Sequence, residues 1–460
     1  MFKVILGRAG CGKTELVLRR LCEAGQARPQ VLLVPEQQSH EAERALCRWG
    51  GPEVSLQAEV LSFSRLCNRI FHAAGGLGEE ELDEGGRLLL MYRAVQSLSA
   101  QLKVYGRPSK RPAFLQSLLA TADELKSACI PPDKLMEAGQ DNPGPEGDKL
   151  FDLGLILGEY QALTALGALD PRDRLTRAAD KLLTCRWGEG KDFWLDGFTD
   201  FTPQQRRVLE LLMAQGANMT LTITCDHLEE DEGGTGIFSP ARKTARQLLA
   251  LAQKRGISCE VEHLVNQDTG KNPALCHLEQ NLFVQGQVEP VPAQGAVELF
   301  RGRDRRGEVE WAAGRMLQMV REEGYRFRDI GVAARDYGAY RDLIESVFPR
   351  YVVSVFSSAM TDILEKPVLA LVTAALETAA GEYRYEDVFR YLKTGLTDLS
   401  EEDRDLLENY VLRWDIRGSR WTQQKPWAWH PKGYGLPWSE EDRALVERLD
   451  ALRRQVAEPL

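Results

Sequence analysis

The stretch GRAGCGKTE, residues 7–15, follows the apolar run FKVIL and precedes the apolar-periodic stretch LVLRRLCEA. It fits G-x-x-x-x-G-K-[ST], with Gly7 and Gly12 framing a loop that Lys13 and Thr14 close. A short strand that runs through such a loop into a helix points to an α/β fold. Glycines at the turn let successive backbone N–H groups point inward at phosphates. Lys13 supplies a charge for the β- and γ-phosphates, and the Thr14 hydroxyl can ligate Mg²⁺. The competing reading is a plain glycine-rich turn between strand and helix. Four specified positions in this context favour the phosphate site, but they say nothing of hydrolysis.

A chain of 460 residues is long enough for about three domains of roughly 150 residues, each able to bury its own core. With 43% apolar and 27% charged residues, the composition is that of a soluble globular protein. No run of about 18 apolar residues occurs, which argues against a membrane span. The start lacks the charged-then-apolar profile of a signal peptide, so a cytoplasmic location is expected. The nine cysteines are scattered, with no C-x-x-C pair and no histidine at a matching spacing. They read as reduced core thiols rather than zinc ligands or disulfides. A net charge of −10 does not advertise a nucleic-acid binder, yet a basic groove can sit on an acidic protein.

Downstream, QVLLVP (30–35) reads as a buried parallel strand, followed by the helix SHEAERALCRW. AEVLSFSRLCNRIF (58–71) reads as a strand turning into a helix at Ser62 or Ser64. From about 75 to 185 the pattern is almost wholly helical, and strand signals return with FWLDGF (193–198) and MTLTITCD (219–226). A parallel sheet interrupted by a helical insertion is the simplest account. DEGGTGIFSP (231–240) reads as an exposed loop, and the acidic runs GEEELDE and LEEDEGG as solvated faces. Near 295 a second α/β unit is expected, with strands in AVELFRG (296–302) and IGVAA (330–334). From 400 the chain is helical, and Trp414, Trp421, Trp427, Trp429 and Trp438 crowd together. Packing of an irregular segment is favoured there over stacking on single-stranded bases.

A P-loop ATPase also needs a carboxylate at the end of a neighbouring strand to hold Mg²⁺, and a group to orient the attacking water. Asp196, which ends FWL and precedes GFTDFTPQQ, stands at the expected place. Superfamily 1 helicases read Asp-Glu there, the glutamate activating water, whereas the next residue here is Gly197.

Taken in order, GRAGCGKTE, LLVPEQQSHEAE, AEVLSFSRL, WLDGFTDFTPQQ, RDIGVAARDYGAYRDLIE and LKTGLTDLSEEDRDLLENYVLRWDIRGSRW resemble the AddB family, one of the two kinds of chain in the ATP-dependent helicase/deoxyribonuclease of Gram-positive bacteria. The matches span nearly the whole chain. The resemblance implies a UvrD-like helicase fold with two RecA-like parallel-sheet domains and helical insertions. Residues 1–290 would form the first RecA-like domain, with its insertion over about 75–185. Residues 291–395 would begin the second, and 396–460 would begin the helical insertion of that second domain. The family works as a heterodimer with the AddA motor subunit on single- and double-stranded DNA. It resects double-strand breaks for homologous recombination and responds to the hotspot sequence Chi. Its C-terminal nuclease domain, with a carboxylate-lysine metal site and an iron-sulfur cluster, is expected only beyond this chain, which reads as an N-terminal fragment.

Residue by residue, the resemblance implies that Gly7, Gly10, Gly12, Lys13 and Thr14 hold ATP phosphates, with Thr14 and Asp196 on the Mg²⁺ side. Arg335 sits where helicases place an arginine that reaches the γ-phosphate, with a solvent-exposed strand-end arginine as the open alternative. Gln37, Ser62, Phe63 and Ser64 become candidates for single-strand contact, although burial is favoured for Phe63. Three departures weaken hydrolysis. Gly197 offers no base; TITCDHLEE keeps Asp226 but has no glutamine to sense the γ-phosphate; and with six residues ahead of Gly7 an upstream glutamine motif is not expected. Such groups typically contribute roughly 10²- to 10⁴-fold. The leading expectation is therefore an ATP-binding subunit with little turnover of its own. The alternatives are an active DNA translocase in which another carboxylate such as Asp200 orients water, a scaffold with a relic site, and, more weakly, a small-molecule kinase.

Overall fold

The computed structural model describes residues 1–24, 27–106, 111–229, 236–264, 272–283, 286–293, 295–357 and 363–460. The chain divides into two compact units, Met1–Glu298 and Leu299–Leu460.

The first unit is built on six parallel strands: β1 (Phe2–Gly7), β2 (Gln30–Leu33), β3 (Ala58–Leu61), β4 (Asp192–Leu195), β5 (Asn218–Thr224) and β6 (Cys259–His263). Their order across the sheet is β3-β2-β4-β5-β1-β6, with Leu33 opposite Leu195 and Leu6 opposite Ile223. Parallel strands need long crossovers, and these place helices on both faces. On one face, α1 (Lys13–Glu23) and α2 (Ser39–Gly50) pack Val17, Leu21 and Leu46 against Leu32, Val34 and Val60. On the other, α3 (Phe63–Ala74) packs against Val31, Leu33 and Leu61. The alternation along β2, with Val31 and Leu33 to one side and Leu32 and Val34 to the other, is the period of a strand buried on both faces.

Between β3 and β4 lie α4 (Glu84–Ser97), α5 (Pro112–Ser127), α6 (Pro132–Asp141), α7 (Pro145–Ala165) and α8 (Arg174–Thr184). The first four close a core of their own around Met91, Leu118, Leu135, Ile156 and Tyr160. α8 instead lends Ala178, Ala179 and Leu182 to the sheet's core, together with α9 (Pro203–Ala214) and α10 (Ser239–Lys254). The helical stretch expected over 75–185 thus holds a four-helix insertion and one sheet-covering helix. Close approach of α6 and α7 depends on small residues. A β-carbon at Gly154 would stand 2.5 Å from Met136 Cγ and 2.9 Å from the Pro132 carbonyl oxygen. The short helix α11 (Pro273–Asn281) follows β6. Of the loop expected at 231–240, residues 231–235 lie outside the described residues.

The second unit contains α12 (Arg305–Glu322), α13 (Gly338–Val347), α14 (Pro367–Ala380), α15 (Tyr385–Leu392), α16 (Glu401–Trp414), α17 (Ser419–Thr422) and α18 (Glu440–Ala457). The strands expected in AVELFRG and IGVAA are not formed, and none of the described residues of 299–460 lies in a strand. Among the described residues of 291–395, helices joined by irregular segments stand where the sequence leads one to expect a second parallel sheet. An extended run becomes a strand only when another backbone takes up its N–H and C=O groups. Here Leu299 is exposed, and Phe300 stacks on Trp311 with ring centroids 4.6 Å apart. Ile330 and Val332 border an apolar groove with Phe348 and Val353. Further along, Trp421 and Trp427 are core residues beside Phe389 and Tyr410, and Trp414 stacks on Trp429, so the tryptophans mainly pack. Among the described residues no helix is long and apolar enough to cross a membrane.

Candidate nucleotide-binding site

The loop after β1 turns through Gly10 (φ 70°) and Gly12 (φ 88°), both in the left-handed region that favours glycine. Gly7 is needed for close approach, since a β-carbon there would stand 2.4 Å from Cys11 Sγ and 3.2 Å from the Leu264 carbonyl oxygen. α1 begins at Lys13 with no side chain capping its first turn. The Lys13 ammonium folds back over the loop, donating to the carbonyl oxygens of Gly7 at 2.7 Å and Arg8 at 2.8 Å.

β4 delivers Asp196 to the same end of the sheet. The ladder continues one residue past the strand, from the Asp196 N–H to the Leu33 carbonyl at 3.1 Å. One carboxylate oxygen accepts the Thr14 hydroxyl at 2.7 Å, and the other accepts the Thr222 hydroxyl from β5. A hydroxyl and a carboxylate held together beside a lysine-bearing glycine loop form a hard-oxygen donor set that suits Mg²⁺ and a polyphosphate. The loop, Lys13, Thr14 and Asp196 are thus brought together at one end of the sheet.

The expectation for the next position is sharpened. Gly197 has φ 80°, and a β-carbon there would come within 2.3 Å of Gln38 Oε1. A side chain at 197 would be strained by this backbone and would displace the exposed Gln38 carboxamide.

The single-strand candidates divide. Ser62 is fully buried and caps α3 by accepting the Arg65 N–H at 3.4 Å. Phe63 is buried edge-on against Phe198 and Phe201, with centroids 5.8 and 6.2 Å away. Both are structural. Ser64 is exposed on a groove of about 610 Å³ bordered by Glu36, Arg172, Arg174, Gly197 and Asp200, and Gln37 is exposed on the neighbouring turn. Asp200, the alternative water-orienting carboxylate, is exposed on this groove. Arg335 belongs to the second unit, where it lines a cavity of about 650 Å³ with Arg305, Glu308 and Tyr340.

Sequence reasoning missed several supporting residues. Arg8 donates to Glu279 Oε1 at 3.0 Å and to the Glu279 carbonyl at 2.8 Å, and lies over the Phe238 ring. After β5, the Cys225 N–H reaches the Gly7 carbonyl at 3.3 Å. Arg242 donates to Asp226 at 2.7 Å. Burial alone would raise the Asp226 carboxyl, but Arg242 and the His227 N–H hold it below the usual carboxylate range. Burial pushes the Cys225 thiol up, away from thiolate chemistry. Each of these contacts joins residues 15 or more positions apart or rests on a backbone atom, and none carries a local motif.

Residues 4–279 match the family model described as ADDB, N-terminal. Proteins named as the B subunit of an ATP-dependent helicase/deoxyribonuclease align with the whole chain. Identity is 33% over 467 positions in Thermoanaerobacter sp. (strain X514) and 35% over 476 in Pelotomaculum thermopropionicum (strain DSM 13744 / JCM 10971 / SI). In Clostridium botulinum (strain Hall / ATCC 3502 / NCTC 13319 / Type A) it is 32% over 473. Each alignment takes in 41% of the relative, so the chain spans about two fifths of the length of these curated relatives. The model match covers more than half of the chain, including the loop, Asp196 and Thr222, and shows that the chain belongs to the AddB N-terminal family, whose relatives carry the name of an ATP-dependent helicase/deoxyribonuclease.

Proposed function

We propose that this chain binds ATP with Mg²⁺ at the phosphate loop, offers the groove at Ser64 and Gln37 to single-stranded DNA, and works with an AddA-type motor subunit. The pair would process DNA double-strand breaks for homologous recombination, including the response to Chi. The observation that carries this reading is the 2.7 Å bond from Thr14 to Asp196 beside the folded-back Lys13. Thr14 and Asp196 would hold the metal, which neutralises charge on the β- and γ-phosphates when bound. Lys13 exchanges two carbonyl partners for phosphate oxygens. Turnover is slow because Gly197 supplies no carboxylate. Arg172 and Arg174 give the groove its basic wall for the nucleic-acid backbone.

Nucleotide affinity and phosphate release, measured with saturating single-stranded DNA on wild type and Lys13→Ala, test the reading. The expected result is nucleotide binding weakened by about tenfold or more in Lys13→Ala, the scale of a lost charge-assisted contact, with little DNA-stimulated turnover in the wild type. Binding indifferent to Lys13 would overturn it. Turnover that rises steeply with DNA and vanishes in Lys13→Ala would favour an active translocase.

A further inference from the structure

The residue after Asp196 has no side chain, and its left-handed backbone disfavours one. Gly197 sits at φ 80°, and the space its β-carbon would enter is held by the Gln38 carboxamide, with Oε1 at 2.3 Å and Cδ at 3.2 Å from that point. Gln38 arrives from the strand next door. β2 pairs with β4, and the one-turn helix Glu36–Gln38 follows β2 directly after Pro35. That turn is pinned, because the Gln38 N–H donates to the Pro35 carbonyl at 2.9 Å and the buried Ser39 hydroxyl donates to the Glu36 carbonyl at 3.0 Å. The Gln38 backbone is therefore fixed relative to the end of β4. Its side chain makes no hydrogen bond with any described residue, so the amide faces Gly197 with both its donor and its acceptor available.

We propose that Gln38 is the water-orienting residue of this nucleotide site, standing in from the β2 side for the carboxylate that position 197 lacks; this rests on the reading of the loop as an ATP site. A carboxamide can accept a hydrogen from water while donating its N–H to a phosphate oxygen, which points the water's lone pair at phosphorus, a role glutamine fills in other phosphoryl transfers. It cannot take up the proton. In the step, the water oxygen bonds to the γ-phosphorus as the bond from that phosphorus to the β–γ bridging oxygen breaks. ADP leaves with the bridging oxygen and its electron pair. One water proton remains on inorganic phosphate and the other passes to solvent. Positioning without a base gives hydrolysis that is slow and flat with pH across the carboxylate range. The neighbours Gln37 and Ser39 place this residue on the turn that also carries a single-strand candidate.

The test uses the full chain with saturating single-stranded DNA, as wild type, Gln38→Ala, Gln38→Glu and Lys13→Ala. It reads phosphate release against pH, affinity for ADP, affinity for ADP with aluminium fluoride as a mimic of the transferring phosphoryl group, and melting temperature. The proposal expects Gln38→Ala to melt like the wild type and keep its ADP affinity within about twofold. It should lose about tenfold or more in both turnover and preference for the aluminium fluoride complex, the worth of one hydrogen bond to a charged group. Gln38→Glu should gain turnover with an acid limb in its pH profile. Unchanged turnover and unchanged preference in Gln38→Ala would overturn the proposal. So would a wild type that binds ADP in a Lys13-dependent way yet shows neither turnover nor preference, and in that case the ATP-site reading survives. ADP binding that ignores Lys13→Ala would overturn both.

Discussion

One oxygen of the Asp196 carboxylate accepts from Thr14 and the other from Thr222, so a nearly buried anion has a hydroxyl partner on each side. Thr14 would turn toward a metal when nucleotide binds, and Thr222 would then be the contact that keeps the carboxylate aimed. Thr222→Val removes that hydroxyl at similar volume. It should cost about 1–3 kcal/mol of stability in a denaturant titration, because a buried acceptor loses its partner, and should weaken Mg²⁺-dependent nucleotide binding. Gly197→Glu, which restores the helicase-type acid on paper, should instead destabilise by about 1–3 kcal/mol through its left-handed backbone, while the exposed Gln38 carboxamide moves aside. Phosphate release should not improve. A stable Gly197→Glu variant with raised turnover would refute this account of the position.

Among the elements, the four-helix insertion is tied together by a buried carboxylate. Asp170, fully buried, accepts from Lys126 on α5 at 2.8 Å, from Tyr160 on α7 at 2.9 Å and from the Arg172 N–H at 2.9 Å, and pairs with Arg87 on α4 at 3.1 Å. Burial works against its charge, but Lys126 and the backbone N–H outweigh it and hold the carboxyl below its ordinary range. Asp170→Asn leaves Arg87 with Asp123 and Lys126 with Asp173, so it should cost about 1–3 kcal/mol through the lost charged acceptor, read as lost protection of α4, α5 and α7 in hydrogen exchange. The edge strand β6 gives a pH signature. Arg20, hydrogen-bonded through both terminal nitrogens, and Lys3 hold the Glu262 carboxyl at about 2, well under its unfolded value. Its stabilisation is therefore complete above about pH 5 and lost as pH falls toward 2. Being partly exposed and solvent-screened, it should amount to on the order of 1 kcal/mol, a slope in acid denaturation that Glu262→Gln removes. The same strand shows where sequence reading stops. QVLLVP and MTLTITCD are apolar enough to announce buried strands, whereas CEVEH is mostly exposed; its ladder with β1 makes it the edge strand, and Lys3 on β1 and Arg20 on α1 pair its glutamates. Likewise the glycines, Lys13 and Thr14 stand out as one local motif and Asp196 as the end of an apolar strand. Thr222 and Gln38 do not, because their contacts with Asp196 and Gly197 depend on strand order rather than on neighbours in sequence.

At the scale of the whole chain, Met1–Glu298 closes hydrophobic cores on the two faces of the sheet and within the insertion, and among the described residues none after 298 takes part in them. Leu299–Leu460 closes two others, around Val309 and Phe348 and around Phe389 and Trp421. Every residue assigned to the phosphate loop and the metal side falls in the first unit, and Arg335 alone falls in the second. Residues 1–298 should therefore fold by themselves in one cooperative transition, and ADP should raise their melting temperature as much as it does for the full chain, in each case only with Lys13 intact. The comparison also isolates Arg335. An arginine that reaches the γ-phosphate would make ATP, but not ADP, bind more weakly to 1–298 than to the full chain, by about tenfold for a charge-assisted bond. Arg335→Ala in the full chain should then reproduce that loss. Equal ATP affinity in all three proteins would leave Arg335 as a residue of its own cavity with Arg305 and Tyr340, and the nucleotide site would be complete within the first unit.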